Sequence, residues 1–113
     1  MSDGEVVVRR GDVWWVTLDG ASGGDSQNMH PAVVLTADGL NRARRSIVVV
    51  PLSNQAEARP PIVVATPSAG QRAVAVCDQL RAIDKSLLVQ AIGRLAPTDL
   101  RAVQDGVRTV LEL

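Results

Sequence analysis

Phenylalanine and tyrosine are absent from this 113-residue chain, and Trp14 and Trp15 are its only aromatic residues. A protein that gripped single-stranded nucleic acid by base stacking would need several aromatic platforms, so that mode is excluded. Cysteine occurs once, at Cys77, and histidine once, at His30. One cysteine cannot close an internal disulfide, and one cysteine with one histidine lacks the donors of a structural zinc site. Lysine is nearly missing as well: Lys85 stands beside eleven arginines. No apolar run approaches the ~18 residues of a membrane-spanning helix. Met1 to Glu5 does not lead into a signal peptide. These absences point to a soluble, cytoplasmic domain.

What is present suits one compact fold. The chain is 46% hydrophobic and 21% charged, which argues against disorder, and its length fits a single domain over 1–113, with 1–9 expected as a flexible tail. Twelve basic residues balance twelve acidic ones, so net charge does not announce a polyanion partner. Arginine's planar fork suits bidentate contact with phosphate, but a GC-rich genome would also raise arginine, alanine and valine. Both explanations stay open. The core has to be built from valine, leucine, isoleucine and alanine, a β-branched set that favours strands.

Along the chain, Gly11 to Leu18 alternates as a strand, with Trp14, Val16 and Leu18 on one face. Asp19 to Met29 is a long polar loop. Pro31 to Thr36 and Ile47 to Leu52 read as the next strands, separated by a turn at Asp38 to Arg42. Ile62 to Ala65, Ala73 to Cys77 and Leu88 to Leu95 supply three more, and Ile83 to Ser86 reads as a turn. Leu100, Val103, Val107, Val110 and Leu111 share one helical face behind Pro97, a favourable first helical residue. Asp99 suits the helix start electrostatically, whereas Gly106 at mid-helix costs about 1 kcal/mol relative to alanine. Six short strands and one terminal amphipathic helix imply a small barrel that the helix plugs or flanks.

Several segments occur in an ordered series from Arg10 to Leu113: Arg10-Gly11-Asp12-Val13-Trp14-Trp15-Val16, Pro31-Ala32-Val33-Val34-Leu35, Asn41-Arg42, and Val50-Pro51-Leu52-Ser53. The most specific follows, Val76-Cys77-Asp78-Gln79-Leu80-Arg81-Ala82-Ile83-Asp84-Lys85, and then Ile92-Gly93-Arg94-Leu95. The series resembles the MazF/PemK toxin family. That resemblance implies a mainly β, SH3-like barrel of the CcdB/PemK type with a C-terminal α-helix. It also implies a homodimer and a metal-independent, cofactor-free endoribonuclease specific for short single-stranded RNA sequences. The implied protein partner is a cognate antitoxin that inserts into the active surface; no membrane is involved.

Cleaving RNA without a metal uses its own 2′-hydroxyl as nucleophile on the adjacent phosphate, so deoxyribose substrates must fail. The protein then supplies a base, an acid and donors to the crowded phosphorane. Each acid or base role is worth ~10²–10⁴-fold, and a well-placed donor ~10²–10³-fold. The resemblance places these groups at Asp25, His30 and Ser53, with Gln27, Asn28, Asp78, Gln79, Arg81 and Arg42 as substrate contacts. The family's first loop commonly carries an arginine where this chain has His30, a glutamate where it has Asp25, and a glutamine where it has Ser26. Ser53 keeps the hydroxyl that relatives carry as threonine, whereas Val76 occupies a place where some relatives have an active-site arginine.

Each of these residues also has a plainer explanation. His30 is either a general acid or base, a role to which imidazole is suited near neutral pH, or a polar residue at a loop–strand junction in a silenced relative. Asp78 and Arg81 either flank the scissile phosphate or form a structural network in which Asp78 accepts backbone amides and Arg81 pairs with Asp84. Arg42, Arg44 and Arg45 either track phosphates or solvate a basic turn. Trp14 is expected in the core, Trp15 at a dimer or base pocket, and Cys77 as an inert buried thiol. Three functions follow: an mRNA interferase, a silent member that binds RNA or antitoxin without cutting, and a CcdB-type gyrase poison. The ending Val110-Leu111-Glu112-Leu113 lacks the tryptophan-bearing C-terminus of the last type.

Overall fold

Alternating burial from Asp12 to Thr17 sets the first strand, and every later strand is read from its register with that one. The computed structural model describes residues 7–18 and 29–113. In chain order the elements are β1 (Asp12–Thr17), β2 (Met29–Val34), α1 (Asp38–Ala43), β3 (Ser46–Ser53), β4 (Val63–Ala65), β5 (Val74–Val76), β6 (Arg81–Asp84), β7 (Leu88–Arg94) and α2 (Pro97–Leu111). Short 3₁₀ turns at Pro67–Ala69, Cys77–Gln79 and Lys85–Leu87 join the later strands. Seven strands form one antiparallel sheet in the order β4-β5-β3-β2-β1-β7, with β6 also on β3. The sheet curls as in an SH3-like barrel but is not closed.

β3 makes that curl, because its two halves have different outer partners. Its first half, Ser46 to Val49, pairs with β6, while Leu52 and Ser53 pair with β5. On one face of the sheet Trp14, Val16, Ala32, Val34, Ile47, Val49 and Ile83 are buried together with Val8. On the other, Val13, Val33, Val50, Leu52, Val64 and Ala75 pack with Val103 and Val107 of α2. The helix therefore flanks the sheet. Burial of Val8, and the bond from the Arg9 N–H to Asp12 Oδ2 at 2.9 Å, tie residues expected in the tail to the body.

Six strands were expected and seven form. The added one is β6, where Arg81-Ala82-Ile83-Asp84 has only Ile83 buried and lacks the apolar run of a core strand. Pairing with β3, rather than local propensity, makes it extended. Asp84 does not pair with Arg81. It accepts from Arg45 Nη2 at 3.0 Å and from the Ser86 N–H at 2.8 Å. The Ser86 N–H first, then Arg45, hold its carboxyl down at about 2.

Two motif segments turn out to be structural. Asp12 accepts Arg94 Nη1 at 2.7 Å, joining the first strand to the last. Gly11 adopts φ +93°, which an L side chain rarely takes. There its N–H donates to Val34 O at 2.7 Å and its carbonyl accepts the Leu95 N–H at 2.9 Å.

Gly106 has a packing reason. A Cβ there would stand 2.5 Å from Cys77 Sγ and 2.9 Å from the Pro61 carbonyl oxygen. Cys77 is fully buried, and burial first, then Asp78, push its thiol up to about 11, consistent with an inert group. Gly106→Ala is expected to lower stability by about 1–2 kcal/mol, overpacking outweighing the ~1 kcal/mol gain in helix propensity. Thermal melts of Gly106→Ala, Cys77→Ala and the double variant check this, with the double variant costing less than the sum of the singles. A Gly106→Ala protein more stable than its parent would refute the close approach.

Candidate active site

His30 on β2 and Ser53 on β3 line the same two cavities at the open end of the β2–β3 ladder. The last rung of that ladder pairs Ala32 with Pro51, and His30 and Ser53 lie just beyond it. His30 is exposed and Ser53 half-buried. Ser53 Oγ accepts the Gln55 N–H at 3.0 Å, which leaves its own O–H free to donate to an anion.

The two cavities meet here, and His30, Leu52, Ser53 and Gln55 line both. The first, about 450 Å³, is bounded by Val13, Trp15, Pro31, Ala73 and Ile92 and is largely apolar. The second, about 540 Å³, is bounded by Leu18, Pro51, Val76, Gln79 and Arg81. Trp15 pairs with Pro31, on the sheet face that carries Val13 and Val33, whereas Leu18 packs with Trp14 and Val16. The cavities thus lie on opposite faces of the sheet and join at its rim.

Arg81 enters the second cavity from the start of β6. Its Nη2 donates to the Leu18 carbonyl at 3.1 Å, fixing the guanidinium beside the end of β1; among the described residues its other N–H groups have no acceptor. Gln79 lines the same cavity from the Cys77–Gln79 turn; Asp78, exposed on that turn, lines neither cavity. Arg42 is on α1, before the start of β3, and Ser53 is at that strand's far end, seven residues or roughly 23 Å along the strand from Ser46. The structure therefore does not bring Arg42 to this site. Asp25, Gln27 and Asn28, and the loop expected to be mobile, lie outside the described residues, although β2 already begins at Met29.

The model of the family described as "PemK-like, MazF-like toxin of type II toxin-antitoxin system" matches residues 9–111. This chain is a PemK/MazF-family toxin. Among curated relatives, the toxin is 32% identical over 116 residues to endoribonuclease MazF9 of Mycobacterium tuberculosis, covering 95% of this chain and 98% of the relative. It is likewise 32% identical over 109 residues to endoribonuclease PemK of Escherichia coli, covering 92% of this chain and 82% of that protein. Among solved structures, MazF of Deinococcus radiodurans superposes with a TM-score of 0.80 at 21% identity, covering 96% of the toxin and 100% of that chain. A mycobacterial endoribonuclease in complex with its cognate antitoxin gives a TM-score of 0.74 at 20% identity, covering 93% and 95%.

Within the toxin, Trp14 is buried and Trp15 lines the apolar cavity, each on the face expected from alternation. Sequence reasoning missed Gln55, which lines both cavities and holds Ser53 through its N–H. The signal was present in Ser53-Asn54-Gln55, a polar run immediately after a buried strand.

Proposed function

We propose that this toxin is a metal-independent endoribonuclease that cuts single-stranded RNA at specific short sequences in the cytoplasm. The observation that carries the proposal is that His30 and Ser53 line both of two adjoining cavities, with Arg81 and Gln79 lining one of them. A phosphate seated between His30 and Ser53 would meet the Ser53 O–H and N–H groups of Arg81, donors suited to the charge that builds on a phosphorane. The 2′-oxygen forms a bond to phosphorus and the P–O5′ bond breaks, giving a 2′,3′-cyclic phosphate and a 5′-hydroxyl. Two protons must move, and His30 carries one of these transfers, with Asp25 the second candidate. RNA without deoxyribose analogues, incubated with the protein and EDTA and then mapped for 5′ ends, tests the proposal. Discrete chelator-resistant cuts are expected; binding without cuts would make the chain a silent member.

The same reading includes a cognate antitoxin that occupies this groove, and a homodimer. Among the described residues β7 has a strand partner only in β1, and along it Val89 is 53% and Ile92 43% exposed, more apolar surface than a lone strand edge favours. An isologous two-fold dimer would cover it. Light scattering at micromolar concentration is expected to give the dimer mass, and a monomer alone would reject it.

A further inference from the structure

A third cavity, of about 510 Å³, lies between the β3–β4 and β4–β5 connections. It adjoins the His30–Ser53 site, because Asn54, Gln55 and Ala73 line both it and the Trp15 cavity. Its chemistry differs from that of its neighbours. Three residues with carboxamides, Asn54, Gln55 and Gln71, line it together with Glu57 and Arg72, and Gln55 Nε2 donates to Asn54 Oδ1 at 3.4 Å. The volume falls in the range of small-ligand sites, about 300–1,000 Å³. A carboxamide offers a donor and an acceptor side by side, the pattern that matches a base edge, and a carboxylate accepts from exocyclic amino groups. No aromatic side chain lines the cavity, so recognition there would run through hydrogen bonds and charge rather than stacking.

The loop that carries Gln71 and Arg72 is anchored. The Thr66 N–H donates to the Ala73 carbonyl at 2.9 Å, closing the loop at its base, and the Ala73 N–H donates to Gly70 O at 3.0 Å. At its tip the Ser68 N–H donates to Asp99 Oδ2 at 2.8 Å, and Ser68 Oγ accepts the Ala96 N–H at 2.9 Å. Asp99 is buried at the start of α2, so the loop is fastened to the helix that packs on the sheet. Reading a base requires donors held to within a fraction of an ångström, which a loop fixed at both ends provides.

We propose that this cavity is a nucleotide subsite of the cleavage groove. An unpaired base flanking the cut is read by Gln71 with Asn54 and Gln55, and Arg72 grips the phosphate beyond it. The subsite rests on the endoribonuclease reading and makes sequence preference extend past the nucleotides at His30 and Ser53. Gln71 and Arg72 are exposed, so replacing them leaves the core intact.

The test is cleavage of a degenerate RNA pool by the full chain, Gln71→Ala and Arg72→Ala, with sequencing of the new 5′ ends. Gln71→Ala is expected to flatten the preference at one flanking position by roughly tenfold, the discrimination expected of one good base contact. Arg72→Ala is expected to raise KM evenly across sequences and to reduce the salt slope of binding by about 0.7. If the parent cuts discretely and Gln71→Ala retains an identical motif, the subsite is overturned and the endoribonuclease reading stands. If the parent cuts nothing, both fall.

Discussion

His30→Ala is expected to slow RNA cleavage by about 10²-fold or more, the usual worth of one general acid or base. The loss should appear in kcat, with RNA affinity little changed, because the removed interaction belongs to the transition state. Ser53, Arg81 and Gln79 remain to hold the strand in the variant. The pH–rate profile separates proton transfer from mere positioning. A guanidinium does not give up its proton in proteins whereas an imidazole can, so the rates of the parent and of His30→Arg should depend differently on pH. His30→Arg, which restores the residue common in the family, should keep substantial activity with a flatter profile. Equal rates for His30→Ala and the parent would make His30 a bystander and shift the chemistry to Ser53, Asp25 and Arg81. Activity in His30→Arg alone would make the natural chain a silenced relative.

A still larger effect is expected from the substrate side. Once a cut site has been mapped, a single 2′-deoxy substitution at the nucleotide 5′ to the scissile phosphate should abolish cleavage there. In the proposed reaction the nucleophile is that nucleotide's own 2′-oxygen, so its removal leaves nothing to attack phosphorus, whatever the protein supplies. A second cut site in the same oligonucleotide, left as ribose, should be cut at its normal rate. Gel or mass analysis resolves the two products and also reads the termini, where a cyclic phosphate is expected opposite a 5′-hydroxyl. Cleavage of the deoxy bond would show that water attacks instead, and His30 would then act on water.

Much of the architecture was legible because strands and helix carry their periods plainly. Trp14, Val16, Ala32 and Val34 alternate, and Val103 and Val107 repeat at helical spacing, so the two packed faces follow from side-chain size alone. β6 was not legible, since its polar ends resemble a turn and only the pairing of Ile83 with Ile47 makes it a strand. The price of Gly106 in propensity was visible, but its cause, the Cys77 sulfur and the Pro61 carbonyl, lies far off in sequence. The site was half legible. His30 and Ser53 were singled out by resemblance, yet their place in one cavity lining depends on strand pairing that spacing does not encode. Arg42 looked equivalent to Arg81 in composition, and only the length of β3 separates them. Gln71 and Arg72 carried no motif, because what makes them notable is a cavity built from two separate connections.

The pairing of β1 with β7 has a consequence for synthesis. Domains fold as their chain emerges from the ribosome, N-terminal parts first. Here the outer neighbour of the first strand is the last strand, and Asp12 waits for Arg94. Ile92, which closes the Trp15 cavity, comes from that same late segment. While β7 is still inside the translating ribosome, one wall of the groove does not exist. A chain whose proposed target is RNA thus completes its cutting surface only after its last strand has left the ribosome.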